Sequence, residues 1–475
     1  MSNKASILLL FFTLLFVRNI SAQEIWSLEK CLRYAAENSL LVKQSELNIR
    51  SALVTEKQSK MARLPSLDAS VSGGVQFGRT IDPTTNSFDN QTIGFNRYSL
   101  SAGVVLFNGN SINNTIERSK LNTEIARLDA EASEDNLYLS VATAYLNILM
   151  AEEQLENSGN QKRLSEEQLE QIDKLIKSGL RPENDRLNIL AQIALNDQAL
   201  VQSRNAVDLA YLQLKNLLQL DPLFDMKIEK PDLQVPAATE AEAVNFQTVY
   251  ASALQTQPQI QAADLRGESA DVGVKIARSS FFPTLSAFGS LSSNWSSVSK
   301  KVDGYTTVAI PQDVRINGVT TTVEFFSTLP NLVDDPFFDQ INENFGQSVG
   351  LNLNIPIYNN HRNWANSEIA QINALNARLT AEQTRQQLKN DVQSAVANAR
   401  AARKSYEAAQ KSRDAAKGAF DNAEKRFQLG AINTFEYSTA KINLDNAQTE
   451  LVRAKYDLLF RLKIVDFYLG KELKF

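Results

Sequence analysis

The chain is poor in the residues that carry covalent and metal chemistry. Of its 475 residues, one is cysteine, Cys31, and one is histidine, His361. A single thiol excludes an intramolecular disulfide, and a single imidazole leaves no material for a His-based triad or metal cluster. Cys31 lies well past the N-terminal apolar run, so it is not the lipid-bearing first residue of a lipoprotein, and it reads as a small buried helix residue. His361, beside Asn359 and Asn360, reads as a solvated turn residue. The glycine-rich "GGVQFG" from Gly73 to Gly78 lacks the phosphate-loop spacing and has no helix after it. No catalytic residue, metal ligand or cofactor site is expected, and the chain reads as a non-enzyme.

Long apolar runs are also scarce. The N-terminus carries Lys4, an apolar run from Ile7 to Val17, then Ser21 and Ala22, so residues 1–22 are expected to be a secretory signal with the mature chain starting near Gln23. Eleven apolar residues are too few for a bilayer, which needs roughly 20. No later segment approaches the length of a transmembrane helix, so any membrane span must be a β-barrel. Basic excess is missing too: 49 Lys and Arg stand against 54 Asp and Glu, a net charge of −5. Loss of Lys4 and Arg18 with the signal makes it −7, which argues against nucleic acid as partner.

The chain does contain an internal repeat. "LVKQSELNIRSALVTEKQSKMARLPSLDASVSG" from Leu41 matches "QIQAADLRGESADVGVKIARSSFFPTLSAFGSL" from Gln259, with Pro65 on Pro283 at an offset of 218. "SLSAGVVLFNG" ending at Gly109 matches "GLNLNIPIYNN" ending at Asn360 at an offset of 251, and Gly179 matches Gly430 at the same offset. The offset of 251 against 218 means that a 33-residue excess lies between Pro283 and Tyr358, where a loop from about Trp295 to Phe345 is expected to hold it.

Alternation assigns four strands. Leu67, Ala69, Val71, Gly73, Val75 and Phe77 share one face, with serines opposite. Tyr98, Leu100, Ala102, Val104 and Leu106 form a second strand, Leu285 to Leu291 a third, and Val349 to Ile357 a fourth. Each half thus has one hairpin, 65–107 and 283–358, of bilayer-crossing length. Ser99, Ser101, Ser290, Asn352 and Asn354 line the opposite faces, which suits a lipid-facing outside and a wet lumen. A soluble sandwich with one solvated face is the alternative.

Long helices flank the hairpins. Residues 109–179 hold 71 positions without proline, with apolar residues stepping by three and four; as one helix they reach roughly 106 Å. Residues 360–430 repeat the design, and shorter helices are expected at about 27–63, 181–219, 242–280 and 432–470. The organisation expected is a first repeat at 23–220 with a helical tip at 179–182, a proline-rich linker or belt at 221–241, and a second repeat at 242–475 with a tip at 430–433.

With "ARLPSLDASVSG" and "RSSFFPTLSAFGSL" opening strands, "LNIPIYNN" leaving them, and "SGLRPENDRLNILAQIAL" and "LGAINTFEYSTAKINLDNAQTELVRAKYDLL" at the helical tips, the duplicated chain resembles the TolC family of outer-membrane efflux proteins over nearly all of its mature length. The pattern departs at Val105, where the second half has the familiar Pro356. The resemblance implies an α+β membrane protein: a homotrimer whose four strands per chain close a twelve-stranded β-barrel, continued by a twelve-helix periplasmic α-barrel of coiled-coil helices. Residue patterning agrees, since four strands cannot close a barrel alone and an open edge is forbidden in lipid. The implied role is a passive exit duct for a tripartite pump or type I secretion system. Its partners would be a periplasmic adaptor, a proton-driven or ATP-driven inner-membrane transporter and outer-membrane lipid. A soluble periplasmic coiled-coil scaffold or adaptor is the alternative from another class.

Candidate functional residues cluster at the tips. Six positions beyond Gly179 stands Asp185, and six beyond Gly430 stands Glu436. Acids there favour a helix N-terminus, and Asn433 with Glu436 fits a capping box, so local stabilisation accounts for both. In a trimer they would also supply six carboxylates near the periplasmic end, able to select cations or be blocked by them. Arg181 is placed to pair with Asp185 or Glu436 as a latch; in the family an arginine is more familiar in the second half, where Ile432 stands. Gly179, Leu180, Gly430 and Ala431 form the tips, which by resemblance meet the adaptor. Phe107, Phe281, Phe282 and Tyr358 flank strand ends and read as an aromatic girdle at the periplasmic interface.

Overall fold

A computed structural model describes residues 25–81, 88–90, 92–231, 235 and 245–471. The expected signal at 1–22 and most of the second half of the 221–241 segment lie outside these residues. In chain order the elements are β1 (Ile25–Trp26), α1 (Leu28–Asn38), α2 (Leu40–Met61), β2 (Ser66–Gln76), β3 (Arg79–Ile81), β4 (Phe88–Asn90), β5 (Ile93–Asn108), α3 (Ser111–Lys177) and α4 (Glu183–Leu217). They continue with β6 (Lys227–Ile228), α5 (Phe246–Thr256), α6 (Pro258–Ser279), β7 (Thr284–Ser296), β8 (Lys300–Ile316), β9 (Val319–Asp334), α7 (Phe337–Glu343), β10 (Gly346–Asn354), α8 (Arg362–Gln428) and α9 (Thr434–Tyr468). Among the described residues no helix is long and apolar enough to cross a membrane. Two compact units divide the chain: one of Met1–Val54, Leu121–Ser269 and Leu375–Phe475, the other of Thr55–Lys120 and Ala270–Ala374.

The first unit is helical, and the two repeats build it alike. Helices α3 and α8 are each 67 residues long, and α4 and α9 are each 35. Its largest core gathers Val141, Tyr145, Ile148 and Leu149 of α3, at steps of three and four, against Leu214, Leu218 and the α1 residues Leu28, Cys31 and Ala35. Cys31 is fully buried as expected, and burial pushes its thiol up to about 12 against the opposing pull of the Lys30 ammonium. The linker joins this core through β6, which pairs in parallel with β1, and Tyr145 Oη donates to the Glu229 carbonyl at 2.7 Å.

Buried polar pairs set how α3 lies on α4. Ser158 and Ser203 hydroxyls meet at 2.9 Å, and Asn196 Nδ2 donates to Ser165 Oγ at 2.8 Å. A one-turn slip would strand these groups without partners in an apolar contact, so they hold the register at little net gain in stability.

The helices expected at 27–63 and 242–280 are each broken in two. The breaks fall at Ser39 and Gln257, 218 positions apart, where ψ turns to 129° and 115°. Pro258 explains the second break, since a residue before proline is pushed out of the helical region. Ser39 has no such neighbour, but Gln257 shows what the break achieves: it is buried, and its Nε2 donates to the Phe467 carbonyl near the end of α9 at 3.4 Å.

The second unit is built on a four-stranded antiparallel sheet in the order β10–β7–β5–β2. Rows across it follow the expected alternation: Leu67, Ala102, Gly289 and Val349 fall in one register row, and Asp68, Ser101, Ser290 and Ser348 in the next. Hydroxyl pairs tie the polar rows, Ser70 with Ser99 at 2.7 Å and Ser290 with Ser348 at 2.8 Å.

Three readings need correction. Leu106 does not continue the apolar face, because a bulge between Val105 and Phe107 changes the parity and puts Phe107 opposite Leu285. The fourth strand ends at Asn354, since Pro356 has no N–H to carry the ladder further. The 33-residue excess is not loop: β8 and β9 form a ribbon of 17 and 16 residues, followed by the short helix α7.

A cavity of about 1050 Å³ in the first unit collects Glu29, Glu37, Glu131, Asp135 and Glu229 with the cations Arg33 and Lys471. Burial, then the charges of Glu131 and Glu134, raises the Asp135 pKa. A raised folded pKa means the carboxylate destabilises progressively as pH rises through that value. Asp135→Asn, which holds the neutral state, is expected to raise the melting temperature at about pH 8 and to have no effect at about pH 3, below the ordinary carboxylate range; a pH series of thermal melts checks this.

Candidate functional site

The first helical tip is a Schellman turn. Gly179 has φ of 77°, its N–H donates to the Ile176 carbonyl at 2.9 Å, and the Leu180 N–H donates to the Leu175 carbonyl at 2.9 Å. Pro182 then sits in extended conformation immediately before α4, with Glu183 and Asp185 in the first helical turn. The second tip repeats the device: Gly430 has φ of 72° and donates to the Phe427 carbonyl at 3.0 Å, and the Ala431 N–H donates to the Arg426 carbonyl at 2.8 Å.

Arg181 joins the two tips. Its Nη2 donates to the Phe427 carbonyl at 3.1 Å, its guanidinium carbon lies 4.4 Å from the Phe427 ring centroid, and its Nη1 is 3.8 Å from Asp185 Oδ2. The last distance is an ionic contact rather than a hydrogen bond. Both side chains are largely buried, at 15% and 12% exposure, so the pair is screened less than a surface ion pair. Beneath them Ile172, Ile189, Phe427, Ile432 and Tyr437 form a small core, with the Phe427 and Tyr437 rings 4.7 Å apart.

The two acids occupy different surroundings. Asp185 is buried beside Arg181, whereas Glu436 is exposed and its N–H is capped by Asn433 Oδ1 at 2.9 Å. Arg181 therefore meets Asp185, and its second partner is a carbonyl of α8. The position equivalent to Arg181 is Ile432, which is buried in the tip core. The contact is one-sided for that reason: the first half supplies the cation and Asp185, the second the carbonyl and the ring, and both halves contribute to the apolar core beneath.

Sequence reasoning missed several of these groups. Phe427 carries the Arg181 contact, and 246 residues separate the two, a pairing that periodicity cannot reveal. Gly179, Leu180, Gly430 and Ala431 are all exposed, and Leu429 and Phe435, at 83% and 75%, extend the same apolar surface. Lys441 is 3% exposed and pairs with Asp445 at 3.2 Å, while burial raises the Asp445 pKa against the lowering effect of that lysine.

The girdle residues lie near one end of the sheet. Phe107 pairs opposite Leu285, Phe282 packs so closely on Gly109 that a Cβ there would stand 2.8 Å away, and Phe281 meets Trp364 edge-on at 5.3 Å. Tyr358 is 81% exposed beyond the end of β10. Trp364 belongs with them and is absent from the sequence-based set. A second aromatic group stands toward the other end, where Phe337 of α7 lies 6.4 Å from Tyr98 and 6.1 Å from Trp295. "DDPFFDQINENF" holds the signal for it, but which face it meets depends on the fold of the insertion.

The two repeats each give one hairpin to a single four-stranded sheet and one helical tip of the same design, and the family comparison agrees with this. The family model described as "Outer membrane efflux protein" matches residues 31–219 and 249–471. The chain belongs to that family. It is therefore an outer-membrane protein, and helices of this length extend such proteins into the periplasm. Outer membrane protein TolC of Escherichia coli is 25% identical over 350 residues, 72% of this chain and 62% of TolC, so the match spans less than two thirds of that relative. Among solved structures, VceC of Vibrio cholerae shares 15% identity with a TM-score of 0.74, covering 94% of this chain and 97% of its own. The open-state MtrE channel of Neisseria gonorrhoeae shares 17% identity with a TM-score of 0.69, covering 94% and 89%. At these identities the structural likeness fixes the fold alone.

No side chain crowds the Cβ position of Gly179 or Gly430, so alanine there meets only backbone strain. Gly179→Ala and Gly430→Ala should each cost ~1–2 kcal/mol of tip stability, read as faster amide exchange confined to the last turns of α3 and α8.

Proposed function

We propose that this family member is the passive exit duct of an efflux pump or type I secretion system, working as a homotrimer without chemistry of its own. The observation that carries this reading is the four-stranded sheet with apolar residues on one face, serines on the other, and its edges β2 and β10 unpaired among the described residues. An unpaired edge in lipid leaves a row of N–H and C=O groups without partners. Three copies joined β10 to β2 remove every edge and give a twelve-stranded barrel with a hydroxyl-lined bore. Four helical strips per copy, α3, α8 and the paired shorter helices, would likewise wall a twelve-helix periplasmic tunnel. A soluble periplasmic scaffold is disfavoured by the family and has no use for an apolar sheet face.

The tips are the entrance in this reading. Six tips, two per chain, meet at the periplasmic end, where Leu180, Leu429 and Phe435 offer an adaptor an exposed apolar surface flanking Gly179, Gly430 and Ala431. Energy comes from an inner-membrane transporter, proton-driven or ATP-driven. Arg181, with Asp185 beside it on its own hairpin, keeps the first tip against the second through the Phe427 carbonyl and ring, and opening requires that contact to part. Glu436, exposed, and Asp185, once released, would present carboxylates to passing cations.

Reconstituted trimer in planar bilayers tests the duct and its latch. The Arg181→Ala, Asp185→Ala double variant should raise single-channel conductance severalfold, while Arg181→Lys should give an intermediate value, since an ammonium keeps the charge but lacks the planar fork. Unchanged conductance in both variants would sink the latch, and a soluble monomer on fractionation would sink the duct.

A further inference from the structure

The ribbon made by β8 and β9 is not accounted for by a duct. Its fifteen register pairs run from Lys300 opposite Asp334 to Ile316 opposite Val319, and Asn317 and Gly318, both with positive φ, close it as a tight turn. Its two faces differ in degree. Ile310 opposite Phe325 and Ile316 opposite Val319 fall on one face with Val308, Val314, Val323 and Leu329, interrupted by Gln312 and Thr321; the other face carries every charge of this stretch, Asp313, Arg315 and Glu324, with Thr307, Thr320, Thr322 and Thr328, and beside them Tyr305 and Phe326. The apolar face is uncovered in the single chain, with Ile310, Ile316, Val319 and Phe325 between 42% and 66% exposed. Among the described residues β8 and β9 pair only with each other, so both outer edges are open as well.

A two-stranded ribbon of this kind is marginal in water by itself. It needs a cover for one face and strands for two edges, and a second copy of the same ribbon supplies both. Lipid headgroups suit it less, because Lys300, Lys301 and Arg315 are offset by Asp303, Asp313, Glu324 and Asp334. The ribbon leaves the sheet between β7 and β10, and β10 is the free edge at which the next copy joins in the trimer proposed above, so the neighbour's ribbon is close at hand.

We infer that the three ribbons of one trimer close into a six-stranded extracellular cap, β8 of one copy beside β9 of the next, with the apolar face inward. The outer edges are then paired except at Pro311, which has no N–H to give, and the face carrying Asp313, Arg315 and Glu324 meets water. Eight strands already give an interior just filled by side chains, so six leave no bore. The cap is therefore a closure of the duct on its extracellular side, and it must part during export. This inference rests on the trimer.

Disulfide trapping in the full-length protein tests it. Ile316→Cys, or Val323→Cys deeper on the same face, should give linked dimers under mild oxidation in both detergent and nanodiscs, and Thr320→Cys on the outer face should not; the native Cys31 is buried and gives little background. Amide exchange should be slow on both β8 and β9 throughout. A native trimer in which Ile316→Cys and Thr320→Cys react equally with maleimide, and every second amide of each strand exchanges freely, overturns the cap and leaves the duct standing. Protection of Ile316→Cys in nanodiscs but not in detergent overturns it in favour of lipid as the cover. A native mass of one chain overturns the trimer itself, and the cap with it.

Discussion

The constraint on which the structure depends is that backbone polar groups cannot be left unpaired where water is excluded. Helices satisfy it internally, and so the first unit needs only side-chain packing to hold α3, α4, α8 and α9 together. A sheet satisfies it only between strands, and four strands leave two edges. The chain is thus complete in its helices, while its sheet keeps two open edges among the described residues. Serine ladders such as Ser70 with Ser99 serve the same constraint on the polar face by giving hydroxyls to one another.

Duplication supplies the scaffold, and divergence within it supplies the contact between the two tips. Helices of 67 and 35 residues in each half bring both tips to equivalent places, and both tips use a glycine in the left-handed region to turn. Had the halves stayed identical, arginine would face arginine or isoleucine would face isoleucine. Instead Arg181 finds an acid four residues away and a carbonyl of the other hairpin, while Ile432 fills the core beneath. The carbonyl it reaches is one that the Schellman turn already uses, so the cation reinforces a helix end where partial negative charge collects.

Features set by local pattern were legible in the sequence. Strand alternation, the glycines of both tips, the Asn433 cap and the equal helix lengths all follow from residues near one another in the chain. What escaped depends on non-local geometry. A single bulge residue, Leu106, reverses the face of everything after it, and nothing in "SAGVVLFNG" announces it. Phe427 was invisible as a partner of Arg181 because the contact closes across both hairpins. The insertion was a different kind of miss. Asn317-Gly318 between alternating runs is a strong hairpin signal, but Pro311 inside one run argues against a strand. Among the described residues β8 pairs only with β9, so within the single chain a residue lacking an N–H is tolerated on its other edge.

That tolerance narrows how the ribbon can be completed. Pro311 stands opposite Glu324, and it interrupts any ladder built on the outer edge of β8 at one donor. Pairing with a neighbouring β9 must then either skip that donor or place a bulge there, and a bulge would strengthen the twist that a small closed cap requires. A residue that looks hostile to strand structure in the sequence is thereby consistent with tight curvature in an assembly, and it fixes where along the ribbon the bend belongs.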